Sequence, residues 1–325
     1  LAPGLPTPPP GSNMRMPSAP HSAPTLGPNS MPPAHVISTE GSDRATGYNM
    51  SAKLARRGDA LVIGWLDAAS TAGGPARIML GVRDVITGER VRQFQLGEGV
   101  DNHCGPALAF DPGGRLHCIV GAHSGAFHYR YADEPSEEDS WSEPQPLGPR
   151  DTYPSLVCDA QGTLHLAHRE AADRWQLWYR RKPKGSDWEA PTSLAVSPVP
   201  GYNHHMHSLT VAPDGALHLT FQFYYSDSGS AADGYARALV YLRSVDGGDT
   251  WLDESGHEAS TPVTVETMQP FYARPHDVGP DDARRDGSPR NLHDLRAGNH
   301  VVDREGAPWL CVTLPGAVCG SLWTR

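Results

Sequence analysis

Long apolar runs are missing from this 325-residue sequence. Nothing approaches the roughly 18 consecutive apolar residues that a membrane-spanning helix needs, so no membrane span is expected. Cysteine is scarce. Cys104, Cys118, Cys158, Cys311 and Cys319 form an odd set without a CxxC pair. That argues against a zinc ribbon or a thioredoxin-type site. We read the five as packed free thiols, with one or two disulfides as the alternative. No spacing argues for a metal site, and no cofactor is expected. Basic charge is also short, with 27 Lys plus Arg against 37 Asp plus Glu and a net charge of −10. A nucleic-acid surface needs a basic stripe and is not expected. A local cluster of arginine and histidine would still suffice for an anionic ligand.

Glycine and proline are plentiful, 34 and 31 residues, one fifth of the chain. A helical bundle does not tolerate that many helix breakers. Residues 1–34 hold eleven prolines and one charged residue, Arg15. We expect a disordered, polyproline-like leader there, followed by a globular part over 35–325.

From Ala52 onward a pattern repeats: an apolar run, a turn with glycine, Leu-His, and a second apolar run. It is seen in Pro106–Val120, Pro154–Leu166 and His207–Phe221. Asn299–Val312 carries it with Trp309 in the histidine slot, and Ala52–Trp65 is a weaker copy. The turn glycines are Gly58, Gly114, Gly162, Gly215 and Gly306, at steps of 56, 48, 53 and 91 residues. A third, aromatic-rich run and a proline-containing return complete each unit. Alternating apolar runs between Gly, Asp and Pro turns are antiparallel strands. Four strands per roughly 50 residues is the period of a propeller blade. The expected fold is therefore all-β, a β-propeller of four-stranded antiparallel blades. About four to five blades are visible, and 252–296 is read as a loop insertion. The run Ser244-Val-Asp246-Gly-Gly248-Asp-Thr250-Trp251 matches the Asp-box, a turn that marks propeller folds rather than catalysis.

Histidine is abundant, with 16 copies. His117, His165 and His218 recur at one repeat position, so we read them as structural. The non-repeating polar residues are the candidates for chemistry. Asp101-Asn102-His103-Cys104 opens one blade, and His123 ends its second strand. Both slots should face a central funnel. Asn203 and His204 open a later blade in the same way, and Tyr225 ends its second strand. Tyr225 and Arg243 are expected to flank one hairpin loop and meet the others. Trp178 lies in a strip, Arg174–Arg181, that could stack on sugar. Histidine, tyrosine and arginine together suit β-elimination from a uronic acid. Arginine and histidine neutralise the carboxylate, and histidine or tyrosine moves the protons.

The segment DNHCGPALAFDPGGRLHCIVGAHSGAFHYR resembles the BNR-repeat family that includes the propeller ulvan lyases and related enzymes acting on rhamnose–glucuronate linkages. The similarity spans about Tyr48–Val312 and is dense from Gly97 to Trp251. The resemblance implies a seven-bladed propeller, of which this sequence would be a fragment. It implies a catalytic histidine and a carboxylate-neutralising one at His103 and His123, completed by Tyr225 and Arg243. Tyr224 and Tyr235 compete for the tyrosine role. Asn102, Asn203, His204 and Trp178 are the expected substrate contacts. The implied partner is an anionic polysaccharide, handled by a monomer outside the cytoplasm, with no nucleic acid or membrane involved. Two alternatives stand beside the lyase. One is a glycoside hydrolase, which needs two paired carboxylates, whereas Asp101, Glu170 and Glu266 are scattered in sequence. The sialidase version also lacks an N-terminal Arg-Ile-Pro. The other is a non-catalytic binding propeller with Trp175 and Trp178 as platforms.

Overall fold

Each repeat unit folds as a meander of antiparallel strands in the computed structural model. It describes residues 35–48, 50–68, 74–226, 234–273, 295–313 and 321–324. The proline-rich leader 1–34 and Cys319 lie outside these. Of the segment Leu1–Ile37, only His35–Ile37 is described, without regular structure. The rest of this account concerns Ser38–Arg325, one compact unit.

The first blade contains β1 (Leu54–Arg57), β2 (Ala60–Ala68), β3 (Ala76–Asp84) and β4 (Arg90–Gly99), paired in that order. The second begins with β5 (Ala107–Phe110), β6 (Leu116–Val120) and β7 (His123–Ala132). Its outer strand is the first part of β8 (Gln145–Cys158), where Gln145–Leu147 pairs with β7. The second part, from Thr152, opens the third blade by pairing with β9 (Leu164–Glu170). That blade continues through β10 (Gln176–Lys182) and β11 (Thr192–Val196). One long strand thus joins two blades into a seven-stranded sheet, bending at the left-handed Gly148 and Tyr153. The fourth blade is β12 (His207–Val211), β13 (Leu217–Tyr225), β14 (Tyr235–Ser244) and β15 (Tyr272–Ala273). Its fourth strand is thus drawn from within 252–296. Residues 274–294 of that segment lie outside the described ones. The fifth shows three strands, β16 (Arg296–Val302), β17 (Pro308–Thr313) and β18 (Ser321–Thr324).

The first strands of successive blades are neighbours: β1 touches β5, β5 touches β8, β8 touches β12 and β12 touches β16. The apolar clusters lie between blades. Leu80, Phe94, Leu108 and Leu116 fill the first interface, and Ile119, Phe127, Leu156 and Leu166 the second. Leu177, Leu209, Phe221 and Val240 fill the third, and Tyr224, Leu239, Leu310 and Val312 the fourth. This is a β-propeller, an arc of radially arranged blades each buried by its neighbours. No helix among the described residues is long and apolar enough to cross a membrane. Cys104, Cys118, Cys158 and Cys311 are free thiols.

The repeat glycines sit in the left-handed region, with φ of 90° at Gly114, 86° at Gly162, 87° at Gly215 and 85° at Gly306. A Cβ on Gly215 would meet nothing within 4 Å, so only backbone strain opposes one. Gly215→Ala should cost about 1–2 kcal/mol and lower the midpoint of thermal unfolding by a few degrees. An unchanged midpoint would contradict the turn geometry.

The repeated histidines stand near these glycine turns. His117 Nδ1 bonds to the Tyr129 hydroxyl at 2.7 Å, His165 to Tyr179 at 2.7 Å and His218 to Tyr241 at 2.6 Å. In the fifth blade the Trp309 indole instead donates to Asp303 at 2.8 Å. In the Ser244–Trp251 turn, Thr250 donates to Asp246 through its backbone N–H and hydroxyl, and Gly248 N–H donates to Ser244 Oγ. Trp251 is buried edge-on against Tyr179 of the neighbouring blade.

Candidate active site

The end of the blades away from the glycine turns carries a continuous stack of rings and cations. It begins at Asp101, whose carboxylate accepts from two imidazoles. His123 Nδ1 lies 2.6 Å from Oδ2, and His103 Nδ1 lies 3.1 Å from Oδ1. The His103 backbone N–H also donates to Oδ1 at 2.8 Å. Burial would raise the Asp101 pKa, but these hydrogen bonds hold it below the usual carboxylate range. The two imidazoles stack at 4.1 Å. Their approach needs the close passage of Gly121, where a Cβ would fall 2.5 Å from the Gly105 carbonyl oxygen. Burial pushes the His103 pKa down to about 4, helped by His123 and opposed by Asp101. His103 is therefore neutral near pH 7. With Nδ1–H donated to Asp101, Nε2 carries the lone pair and faces Arg44 Nη1 at 3.4 Å.

The stack continues from His103 to Tyr48 at 4.8 Å, and from Tyr48 to Tyr153 at 4.8 Å. Tyr153 is 4 % exposed, and burial raises its phenol well above the ordinary range. Behind it lies Arg169, 0 % exposed, 4.6 Å from the Tyr153 ring and 4.5 Å from the Trp175 ring. Arg169 Nη1 donates to the Tyr202 hydroxyl at 3.3 Å. Among the described residues, its Nε and Nη2 meet no hydrogen-bond partner. Buried guanidinium N–H groups are seldom left that way, and such a group marks a place where an oxygen ligand would bind. Tyr202, His204 and Tyr224 extend the stack into the fourth blade, with His204 and Tyr224 at 4.0 Å. Arg296 opens the fifth blade there, half-buried, and burial lowers its pKa.

Ser124, Tyr153 and His205 are the non-glycine residues with positive φ among the described ones, at 54°, 61° and 38°. Each lies in this region or next to one of its histidines. Strain of this kind persists where the surroundings over-determine the backbone, and it clusters at functional sites. Here Thr152 Oγ1 accepts from the Ser124 N–H at 2.8 Å, tying the His123 turn to the Tyr153 bend.

The structure brings His103 and His123 together but places Arg243 elsewhere. In the β13–β14 hairpin Tyr225 pairs with Tyr235, whereas Arg243 pairs with His218. Arg243 is thus at the glycine-turn end, where it donates to Asp214 at 3.1 Å. The expectation that Tyr225 and Arg243 flank one loop is corrected by this register. They stand at opposite ends of a long hairpin. The Tyr225 side chain lies outside the described ones. Asn102 is buried and donates to Asp43 at 2.6 Å. Asn203 is buried and accepts from the backbone N–H of His205 and Tyr224. His204 is buried too, and burial holds its pKa well below the ordinary value. Trp178 is half-buried and donates to Glu170 at 2.6 Å, while Trp175 is the indole that reaches Arg169.

Tyr153 and Arg169 were missed in the sequence, because on the repeat register they align with Gly105 and Gly121 of the second blade rather than with His103 and His123. The pairing of Thr152 with Arg169 is what brings them to one end of the third blade. Asp101, His103 and His123 bring one donor atom each within 4.8 Å of one another, the one such group among the described residues. Two imidazoles and a carboxylate suit a transition metal, but here the carboxylate serves as acceptor for both rings.

A family model for BNR repeat-containing family members matches residues 65–288, more than half of the chain. The chain belongs to the BNR repeat-containing family. No curated protein sequence matches this BNR repeat protein. Among solved structures it is similar to a polysaccharide lyase, the PL25 ulvan lyase, bound to -[GlcA(1-4)Rha3S]-. The TM-score is 0.65 at 14 % identity, covering 88 % of this chain and 70 % of that one. It is also similar to the polysaccharide lyase Uly1, with a TM-score of 0.56 at 15 % identity, covering 90 % of this chain and 76 % of that one. At such identity the likeness establishes the shared propeller of this BNR repeat protein.

Proposed function

We propose that this BNR repeat protein cleaves a uronic-acid-containing anionic polysaccharide by β-elimination. The observation that carries the reading is Arg169, a buried guanidinium with unpartnered donors, held beside Tyr153 and in one stack with the Asp101–His103 pair. Arg169 receives the uronate carboxylate and stabilises the charge that builds on it as the C5 proton leaves. His123, part-exposed at the rim beside Asp101, lines the same site. His103 Nε2 takes the C5 proton, oriented by Asp101 through Nδ1–H. Tyr153 gives its hydroxyl proton to the departing sugar oxygen. The C5–H and C4–O bonds break and a C4=C5 double bond forms.

Three further features support the reading. Arg44, Arg169 and Arg296 gather around this end although the chain carries a net charge of −10. Such a local field favours an anionic polymer. The glucuronate printed for the ulvan lyase complex supplies the carboxylate that the reading requires. Hydrolysis by paired carboxylates is less well served, because Asp101 is engaged by imidazoles and Glu170 by Trp178. A polymeric substrate places the reaction in an extracellular or periplasmic space.

The test is incubation with ulvan and other uronic-acid polymers while following the ultraviolet absorbance of the conjugated double bond. Wild-type protein should generate it. His103→Ala and Asp101→Asn should each lower the rate by about 10²–10⁴-fold with little change in melting temperature. Reducing sugar released without the chromophore would mean hydrolysis, and no product would leave a binding propeller.

A further inference from the structure

The glycine-turn end of the blades, away from the ring stack, holds a cavity of about 530 Å³ between the second and third blades. Tyr129 and Gln145 line it from the second blade and Lys182 and Lys184 from the third, beside the Asp111–His117 pair. The sister groove between the third and fourth blades is built from the same parts and is nearly closed. There the Tyr179 hydroxyl donates to the Gly247 carbonyl at 2.8 Å, and Arg181 Nη1 donates to the same oxygen at 3.1 Å. Arg181 is also ion-paired with Glu189 and Asp249, and about 170 Å³ remains. Trp251 and Trp188 meet Tyr179 and Tyr129 alike, edge-on at 5.3 Å and 5.5 Å. Counting back four residues from each tryptophan places Lys184 in the slot of Gly247. The turn around Lys184 nevertheless leaves Tyr129 uncapped. Its hydroxyl meets His117 Nδ1 at 2.7 Å and, among the described residues, no turn carbonyl.

The charges of the open groove are unevenly matched. Arg115 is held by Asp133 at 2.7 Å and 3.0 Å, and Asp111 stands 3.5 Å from His117 Nε2. Lys182 donates to the Ser186 carbonyl, and its ammonium lies 6.0 Å from the centre of the Tyr129 ring. Among the described residues neither Lys182 nor Lys184 is ion-paired with a carboxylate. Asp111 and Asp187 offer oxygens beside them. Two ammoniums without a carboxylate partner can hold an anion, and the carboxylates and the phenol can bond sugar hydroxyls. The volume falls within the range of small-molecule sites. We propose that this groove is a second, non-catalytic glycan site. It takes a carboxylated or sulfated sugar unit of an acidic polymer, with the anionic group on Lys182 and Lys184. An anchor at the end opposite His103 raises the local concentration of the tethered polymer. The inference does not rest on the elimination reading, because binding is measured without turnover.

The test is calorimetric titration into the His103→Ala protein with four probes: ulvan oligosaccharides, alginate oligosaccharides, cellotetraose and inorganic sulfate. At least one acidic oligosaccharide should bind, and cellotetraose should not. Binding of both acidic samples means that a carboxylate suffices, and binding of the ulvan sample alone means that sulfate is required. Adding Lys182→Met and Lys184→Met should remove one set of sites or weaken it about 10-fold, with the melting temperature held. Gln145→Glu, an exposed position on the groove, places a like charge before the ligand and should weaken the same set. It serves if the double lysine variant melts early. Affinity unchanged in both variants overturns the site, as does failure of both acidic samples to bind. Inorganic sulfate binding as tightly as the oligosaccharide also overturns it, because the groove would then hold an anion and recognise no sugar. If the His103 protein without the lysine changes forms no unsaturated product in its wild-type version, elimination falls and the glycan site stands on its own titration.

Discussion

Arg169→Ala should lower kcat/KM on a uronic-acid polymer by about 10²–10³-fold, with most of the loss in kcat. The guanidinium is fixed between the rings of Tyr153 and Trp175 and is fully buried, so its donors are aimed before substrate arrives. Preorganised donors of this kind act where charge develops, and the uronate carboxylate gains charge as C5 loses its proton. Arg169→Lys should recover only part of the rate. A lysine offers one compact charge in place of a planar fork and loses the stacking on both rings. The measurement is the initial rate of double-bond formation, set beside the melting temperature of each variant. Activity within tenfold of wild type in a folded Arg169→Ala protein would remove this residue from the scheme.

Stability should fall steeply as the pH drops below about 6.5. His205 and His300 have their pKa values pushed down to about 3 by burial, and His207 and His218 to about 4. All four have at most 5 % of their surface exposed. Between these values and the ordinary pKa of about 6.5, the unfolded chain binds protons that the folded chain refuses. Stability therefore rises with pH through that window and is lost as pH falls through it. Each histidine contributes a slope of about 1.4 kcal/mol per pH unit, so four give on the order of 5 kcal/mol per unit. A domain with a total stability of about 5–15 kcal/mol cannot withstand that for long. Urea midpoints at a series of pH values should be nearly flat above pH 7 and collapse between pH 6 and 4. A midpoint at pH 5 equal to that at pH 7 would contradict the buried neutral histidines.

Much of this architecture is written locally. Gly114, Gly162, Gly215 and Gly306 punctuate the chain because only glycine adopts the left-handed turn without strain. The apolar runs on either side alternate because a strand turns successive side chains to opposite faces. His117, His165 and His218 recur because each meets a tyrosine hydroxyl on the next strand of the same meander. These are short-range relations, and a repeat of them names a propeller. His103 and His123 were legible for the same reason, since one blade supplies both.

The rest of the site depends on longer range. Arg243 looked like a neighbour of Tyr225 until strand register placed it at the opposite end of a long hairpin, beside Asp214. Tyr48, the Tyr153–Arg169 pair and Arg296 come from three different parts of the chain, and no spacing along it relates them. By itself the sequence determined the blade, its turns, its apolar faces and the pairing of His103 with His123, all set by contacts within one unit. Only the tertiary structure decided which blade ends converge. Convergence follows from packing one sheet face on the next, a geometry that the period of a single strand does not encode.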